Sequence, residues 1–277
     1  MGYFDLAGDP LSLAAERASI CLFLRGDLAP LKETFAVAIP EKSVADISFS
    51  PHNDPGFAWG TWYAKLGTCV ADAIPAGARG ALYPEIYKTR GDGFRAAMWP
   101  SLAKDAPLPP AAGGAVSIDR EKGTFILSTP RTSGGFAERG NVDAGTLAFE
   151  LEGAAATVWA SSLDGLPLQT SRHILLTHLT DVQNTNITYA DDTLTTVLSW
   201  GKLPHLMRSG AAHVRLRVAS GTFTVHALAS DGERLRAVPA TFADGVLSFT
   251  ADVAVTAEAT WLYEIVRLPS PSVLILR

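Results

Sequence analysis

The sequence predicts a mainly β protein: an antiparallel β-sandwich of jelly-roll or immunoglobulin-like type over residues 111–277, preceded by a partial α/β, helix- and loop-rich N-terminal region over residues 1–110. Three observations carry this expectation. Beyond Pro110, short apolar runs follow one another as AVSI, TFILS, TLAFEL, TVWASSL, HILLTHL, TTVLSW, HVRLRV, FTVHALA, RLRAVPATF, VLSFTA and TWLYEIV. Between them stand Asp164-Gly165, Ser220-Gly221, Asp231-Gly232 and Asp244-Gly245, hairpin dipeptides whose glycine is free to take positive φ. No helical pattern intervenes that could serve as a crossover, so the strands must pair antiparallel.

Taken in order, GYFDL reads as a short buried strand, and Gly8-Asp9-Pro10 as a turn. In LSLAAERASICLFLRG, Leu13, Arg17, Ile20 and Leu24 recur at helical spacing, with Leu11, Ala14, Ala18, Cys21 and Leu22 widening the apolar face. One helix over residues 11–25 follows, started by Pro10, whose missing N–H is no loss in a first turn, and ended by Gly26. FAVAI is a strand stopped by Pro40. Residues 50–110 are interrupted by prolines from Pro51 to Pro110, which forbids long elements and implies short helices and ordered loops. In HVRLRV, Val214, Leu216 and Val218 share one face and Arg215 and Arg217 the other, the pattern of a half-buried strand. TSGGFAERG has glycines but lacks the lysine and the strand-to-helix context of a phosphate loop, and reads as a turn.

At 277 residues and 47% hydrophobic content the chain can fill one large or two ordinary cores. Lys+Arg of 23 against Asp+Glu of 28 gives a formal charge of -5, and the charges are spread along the chain. Nucleic acid is excluded as a partner, because a phosphate backbone needs a basic stripe. No apolar run reaches the ~20 residues of a spanning helix, so a membrane is not expected as a partner. Cys21 and Cys69 read as free thiols, too few for a disulfide framework. The chain enters an apolar stretch at once, without a signal peptide, as if cut from a longer protein. The compartment therefore stays open, a soluble exported bacterial protein included.

Glycosidic hydrolysis needs two carboxylates roughly 5 to 10 Å apart. Among Glu16, Asp54, Asp72, Glu85, Asp92, Asp119, Glu121, Asp191 and Asp192 no spacing singles out a pair. DVQNTNITYADD gathers oxygen-bearing side chains of the kind calcium accepts, with Asp181, Asn184, Asp191 and Asp192 as candidate ligands. Its order matches no EF-hand, and a long polar sandwich loop explains it as well; a structural calcium is the one cofactor the sequence leaves open. His173 and His178 are an odd number of residues apart in one strand and should face opposite sides, which disfavours a shared metal. The serines lack a nucleophile elbow. Trp59, Trp62, Tyr63 and Trp99 could stack on sugar rings and are the candidate carbohydrate-binding residues, although packing at a seam accounts for them too.

Two stretches resemble one bacterial family type. STPRTSGGF, SSLDGLPLQTSRHILLTHLTDVQNTN, SWGKLP and the closing WLYEIVR are similar to the C-terminal β-sandwich attached to βα-barrel glycoside hydrolases. The matching residues are Thr129, Pro130, Arg131, Asp164, Gly165, Ser171, Arg172, Asn184, Thr185, Trp200, Gly201, Pro204, Tyr263 and Glu264. Ser133 stands where those relatives carry glutamine, and Leu262 separates Trp261 from Tyr263. FDLAGDPLSLAAERASICLFLRGDLAP is similar to the last strand and helix of the barrel, with an RGD-like exit at Arg25, Gly26 and Asp27.

The resemblance implies a carbohydrate-active enzyme whose acid and nucleophile lie on barrel strands outside this sequence, so no catalytic residue is carried over. The implied partners are a poly- or oligosaccharide and a complementary catalytic barrel, with self-association through the uncovered helix as a further expectation. A non-catalytic carbohydrate-binding module and a purely structural domain remain the alternatives.

Overall fold

The computed structural model describes residues 10–27, 35–40, 69–74, 85–87, 115–119, 122–192, 194, 196–255 and 259–268. The chain divides into two compact units, residues 28–117 and the combination of 1–27 with 118–277. In the first, β1 (Phe35–Pro40) pairs in parallel with β2 (Cys69–Ile74) and antiparallel with β3 (Glu85–Tyr87). In the second, one helix and an antiparallel sandwich form a single unit.

The helix, α1, runs Pro10–Leu24 and is closed by Gly26 at φ 61°, a conformation that glycine takes without strain. It is not long and apolar enough to cross a membrane. The strands that follow are β4 (Val116–Asp119), β5 (Thr124–Ser128), β6 (Thr132–Ala137), β7 (Gly140–Asp143), β8 (Leu147–Glu152), β9 (Ala156–Ser162) and β10 (His173–Leu179). Then come β11 (Val182–Thr185), β12 (Thr188–Tyr189), β13 (Val197–Ser199), β14 (Lys202–Met207), β15 (Ala211–Arg217), β16 (Thr222–Leu228), β17 (Arg234–Val238), β18 (Ala240–Ala243), β19 (Val246–Asp252) and β20 (Leu262–Leu268).

They form an eight-stranded sheet in the order β17-β16-β20-β10-β9-β6-β5-β4 and a five-stranded sheet in the order β18-β19-β15-β8-β7. Two ribbons, β11-β14 and β12-β13, stand apart from both. The chain is therefore mainly β and antiparallel in this unit, as the alternation and hairpin dipeptides imply.

Period-two alternation builds the core. In β15, Ala212, Val214 and Leu216 are buried while His213, Arg215 and Arg217 are exposed. Val158, Ala160, Ile174, Leu176, Val225 and Tyr263 of the larger sheet meet Leu147, Phe149, Val214, Leu247 and Phe249 of the smaller in one continuous cluster. The outer face of the larger sheet carries a second cluster, where Ala14 of α1 packs with Leu179, Leu228, Val253, Trp261 and Leu262. That burial, at ~25 cal/mol per Å² of apolar area, binds the helix to the sandwich.

The structure departs from the sequence reading at three places. TSGGFA is not a turn but β6, an interior strand paired to β5 and β9. Its glycines let the backbones close up: a Cβ on Gly134 would collide with Val158 O and Trp159, and one on Gly135 with Phe125 O. DVQNTNITYADD is not one polar loop, since it holds β11 and β12, paired to β14 and β13. RLRAVPATF is two strands, β17 in the larger sheet and β18 in the smaller, with Pro239 between them where the chain leaves one sheet for the other.

Candidate functional site

The most constrained polar constellation lies where α1 exits onto the outer face of the larger sheet. Arg25 Nε donates to Cys21 O at 2.8 Å, holding the guanidinium against the last turn of the helix. Its Nη1 donates to Ser162 O, and its Nη2 to Asp27 Oδ2 at 2.7 Å. The Asp27 side chain has 0% exposure. Its Oδ2 also accepts from Thr132 Oγ1 at 3.0 Å, and Arg131 Nε lies 2.8 Å from Oδ1, an ion-pair contact without the alignment of a hydrogen bond. Arg131 Nη2 returns to Arg25 O at 3.1 Å. The TPRT turn presents these groups because Thr129 Oγ1 both donates to Thr132 O and accepts from Thr132 N, each at 2.9 Å. A buried carboxylate is tolerable only when paired in this way.

The SSLDG…SR stretch is organised by Asp164. Its Oδ1 accepts from Ser162 Oγ at 2.9 Å, Ser171 Oγ at 2.8 Å and Leu166 N at 3.2 Å, and its Oδ2 from Arg172 N at 2.7 Å. Desolvation pushes its pKa up, but the bonds from Arg172, Ser171, Ser162 and Leu166 outweigh that and hold it at about 2. This carboxylate therefore closes a loop and is not a proton donor near neutrality.

Asn184 couples β11 to the SWGKLP turn. Its Nδ2 donates to Trp200 O at 2.8 Å, which leaves Oδ1 to accept from His205 Nδ1 at 2.8 Å. Gly201 at φ 67° sits where a Cβ would strike Thr185 O and Ile187 N, and Thr185 Oγ1 donates to Pro204 O at 2.7 Å. The turn is thus fixed while the Trp200 side chain stands 63% exposed.

Glu264, on the outer face of β20, accepts from Arg234 Nε at 2.5 Å and contacts His173 Nε2 at 2.8 Å. The Arg234 hydrogen bond lowers its pKa, opposed by desolvation and assisted by His173. His178, on the opposite face of β10, is fully buried with neither ring nitrogen in a hydrogen bond of ordinary geometry among the described residues. The two histidines do face opposite sides.

A pocket of about 250 Å³ opens between Ala14 and Arg17 of α1, Val182, His205 and Met207 of the β11-β14 ribbon, and the chain at Leu228–Ser230 and Ala259–Leu262.

Of the candidate metal ligands, Asp181 is paired with Arg208 at 3.1 Å, Asn184 bonds Trp200 and His205, and Asp191 and Asp192 are exposed at the far end of the β12-β13 ribbon. Among the described residues no group of three or more His, Cys, Asp or Glu could hold a metal ion. Trp59, Trp62, Tyr63 and Trp99, and the carboxylates Asp54 and Asp92, lie outside the described residues. Cys21 is a half-buried free thiol whose pKa is raised by desolvation. Sequence reasoning missed Arg17 and Trp261 as neighbours in a pocket, for which no local signal exists. It named Asp27 only as part of a resemblance.

No protein-family profile, curated protein or solved structure matches the chain significantly. The class defined by the fold is an antiparallel β-sandwich bearing a docked helix, and its chemistry among the described residues is that of fixed turns, a clamped helix and one small pocket.

Proposed function

We propose that the sandwich is the supporting module of a carbohydrate-active glycoside hydrolase, holding α1 as a fixed element against which a catalytic βα barrel packs. The observation that carries this reading is the buried Asp27 bound by Arg25, Arg131 and Thr132, which ties the helix exit to the sandwich. The outer side of the same helix supports it, since Leu13, Ile20 and Leu24 are 37%, 47% and 82% exposed and give the helix a second apolar side beyond the one it buries. Among the residues that carry the resemblance, Asp164 and Asn184 each fix a turn through their hydrogen bonds, as a rigid support requires.

A glycan-array and glycosidase screen on the purified chain, with its intact mass confirmed, tests the reading. Absence of turnover by the chain alone is the expected result, and glycan binding beside it would favour the recognition reading below. Turnover by the chain itself would place the reaction inside this sequence and overturn the supporting role.

A second reading, a non-catalytic carbohydrate-binding module, is favoured by Trp200, an exposed indole on a turn fixed by Asn184 and Gly201. Flat aromatic side chains on rigid turns suit the apolar faces of sugar rings. Under this reading Trp200→Ala abolishes glycan affinity and leaves the fold intact.

A further inference from the structure

The pocket beside α1 has a chemistry of its own. Among the described residues its lining contains one formally charged side chain, Arg17, and no carboxylate. Arg17 is solvent-facing and has no ion-pair partner among the described residues. The lining also includes Met207, Leu235, Leu262 and Trp261, apolar groups supplied by three separate strands and the loop before β20. Trp261 is 7% exposed, and its Nε1 is a buried donor with no hydrogen-bond partner among the described residues.

These features exclude most ligand types. Among the described lining residues a metal cation finds neither carboxylate nor thiolate. Inorganic phosphate would meet Arg17 and the polar lining at His205, Ser230 and Thr260 but would set a strongly hydrated dianion against Met207, Leu235 and Trp261. A neutral hydrocarbon would leave the cation unused. The volume of about 250 Å³ falls below the ~300 to 1,000 Å³ typical of drug-sized sites, so the occupant is small.

We propose that this pocket binds a small amphipathic carboxylate, its charged end paired with Arg17 and its body laid against Met207, Leu235 and Trp261. The planar guanidinium fork matches a carboxylate in a bidentate manner, and the apolar lining suits a short body. A hexuronic acid unit and a short-chain organic acid share this chemistry. The inference is independent of the glycoside hydrolase reading.

Isothermal titration of the full chain with sodium glucuronate and with sodium hexanoate, each beside its neutral counterpart, glucose and 1-hexanol, tests the proposal. At least one carboxylate is expected to bind saturably with one-to-one stoichiometry, about 10-fold or more tighter than its neutral counterpart. Which of the two binds identifies the source. Arg17→Gln, on an exposed helix position, should weaken that binding about 10-fold or more without altering the circular dichroism spectrum. Binding should also move the Trp261 indole N–H resonance in a ¹H–¹⁵N spectrum. No saturable binding of either acid, equal binding of the neutral counterparts, or binding indifferent to Arg17→Gln would each overturn the proposal.

Discussion

Asp27 Oδ1 lies 2.8 Å from Arg131 Nε, joining the exit of α1 to the turn that starts β6. The carboxylate has no exposure, whereas Arg131 keeps 33% of its side-chain surface, so Asp27 is the member that cannot be left alone. Removing Arg131 leaves the buried carboxylate with Arg25 as its one cationic partner among the described residues. Removing the aspartate leaves two partly exposed cations beside each other.

Breaking this network should therefore be costly from either side. Arg131→Gln and Asp27→Ala are each expected to destabilise the unit by about 1–3 kcal/mol, the range for losing contacts to a charged group whose arginine partners are partly exposed. Urea unfolding of the two single variants and the double variant measures it. Strong non-additivity is expected, because both substitutions break the same contact.

Asp164 should govern the loop between β9 and β10. Asp164→Ala removes the acceptor of Ser162, Ser171, Leu166 and Arg172 and is expected to cost about 1–3 kcal/mol. Since the folded-state pKa is about 2, below the ordinary 3.8, its stabilising contribution is complete above pH 3.8 and is lost as the pH falls through 3.8 toward 2. Carboxyl NMR titration of this one residue checks the window.

His178 acts in a different window. Desolvation lowers its pKa from 6.5 to about 4, against the smaller opposing effects of the Ala251 backbone and Asp252. Above pH 6.5 the imidazole is neutral whether the chain is folded or not. Between 6.5 and 4 the unfolded chain takes up a proton that the folded one refuses, so stability falls as pH drops through this range, by roughly 3 kcal/mol. His178→Leu should flatten the dependence of urea midpoint on pH between 7 and 4.5, because it removes the buried imidazole that the folded chain keeps neutral.

The glycine pair of β6 should resist substitution. Gly135→Ala places a methyl against Phe125 O, which is backbone and cannot swing aside, so the variant should lose about 2 kcal/mol or more in thermal or urea unfolding. Gly140→Ala offers a control, since nothing lies within 4 Å of a Cβ there. It should suffer only the strain of its φ of 79°.

Much of the sandwich was legible because its strands alternate. His213, Arg215 and Arg217 against Ala212, Val214 and Leu216 specify both the element and its buried face. β6 was illegible for the reason it matters: its glycines, ordinarily turn residues, serve the close approach of neighbouring strands. β11 and β12 hid behind Asn and Asp residues that equally form turns. The SSLDG and SR segments marked the Asp164 hub through resemblance, though the roles of its hydroxyl donors emerge only in three dimensions. The pairing of Asp27 with Arg131 and the meeting of Arg17 with Trp261 join residues remote in sequence, and no periodicity announces such contacts.

The measurement that tests the account most directly is hydrogen–deuterium exchange of α1 in the intact chain and in Asp27→Asn. If the helix is clamped to the sandwich, its amides exchange as slowly as those of β9 and β10 in the parent chain and markedly faster in the variant, while both strands stay protected. Rapid exchange of residues 10–24 in the parent chain, or no change on substitution, would contradict the clamp and with it the supporting role.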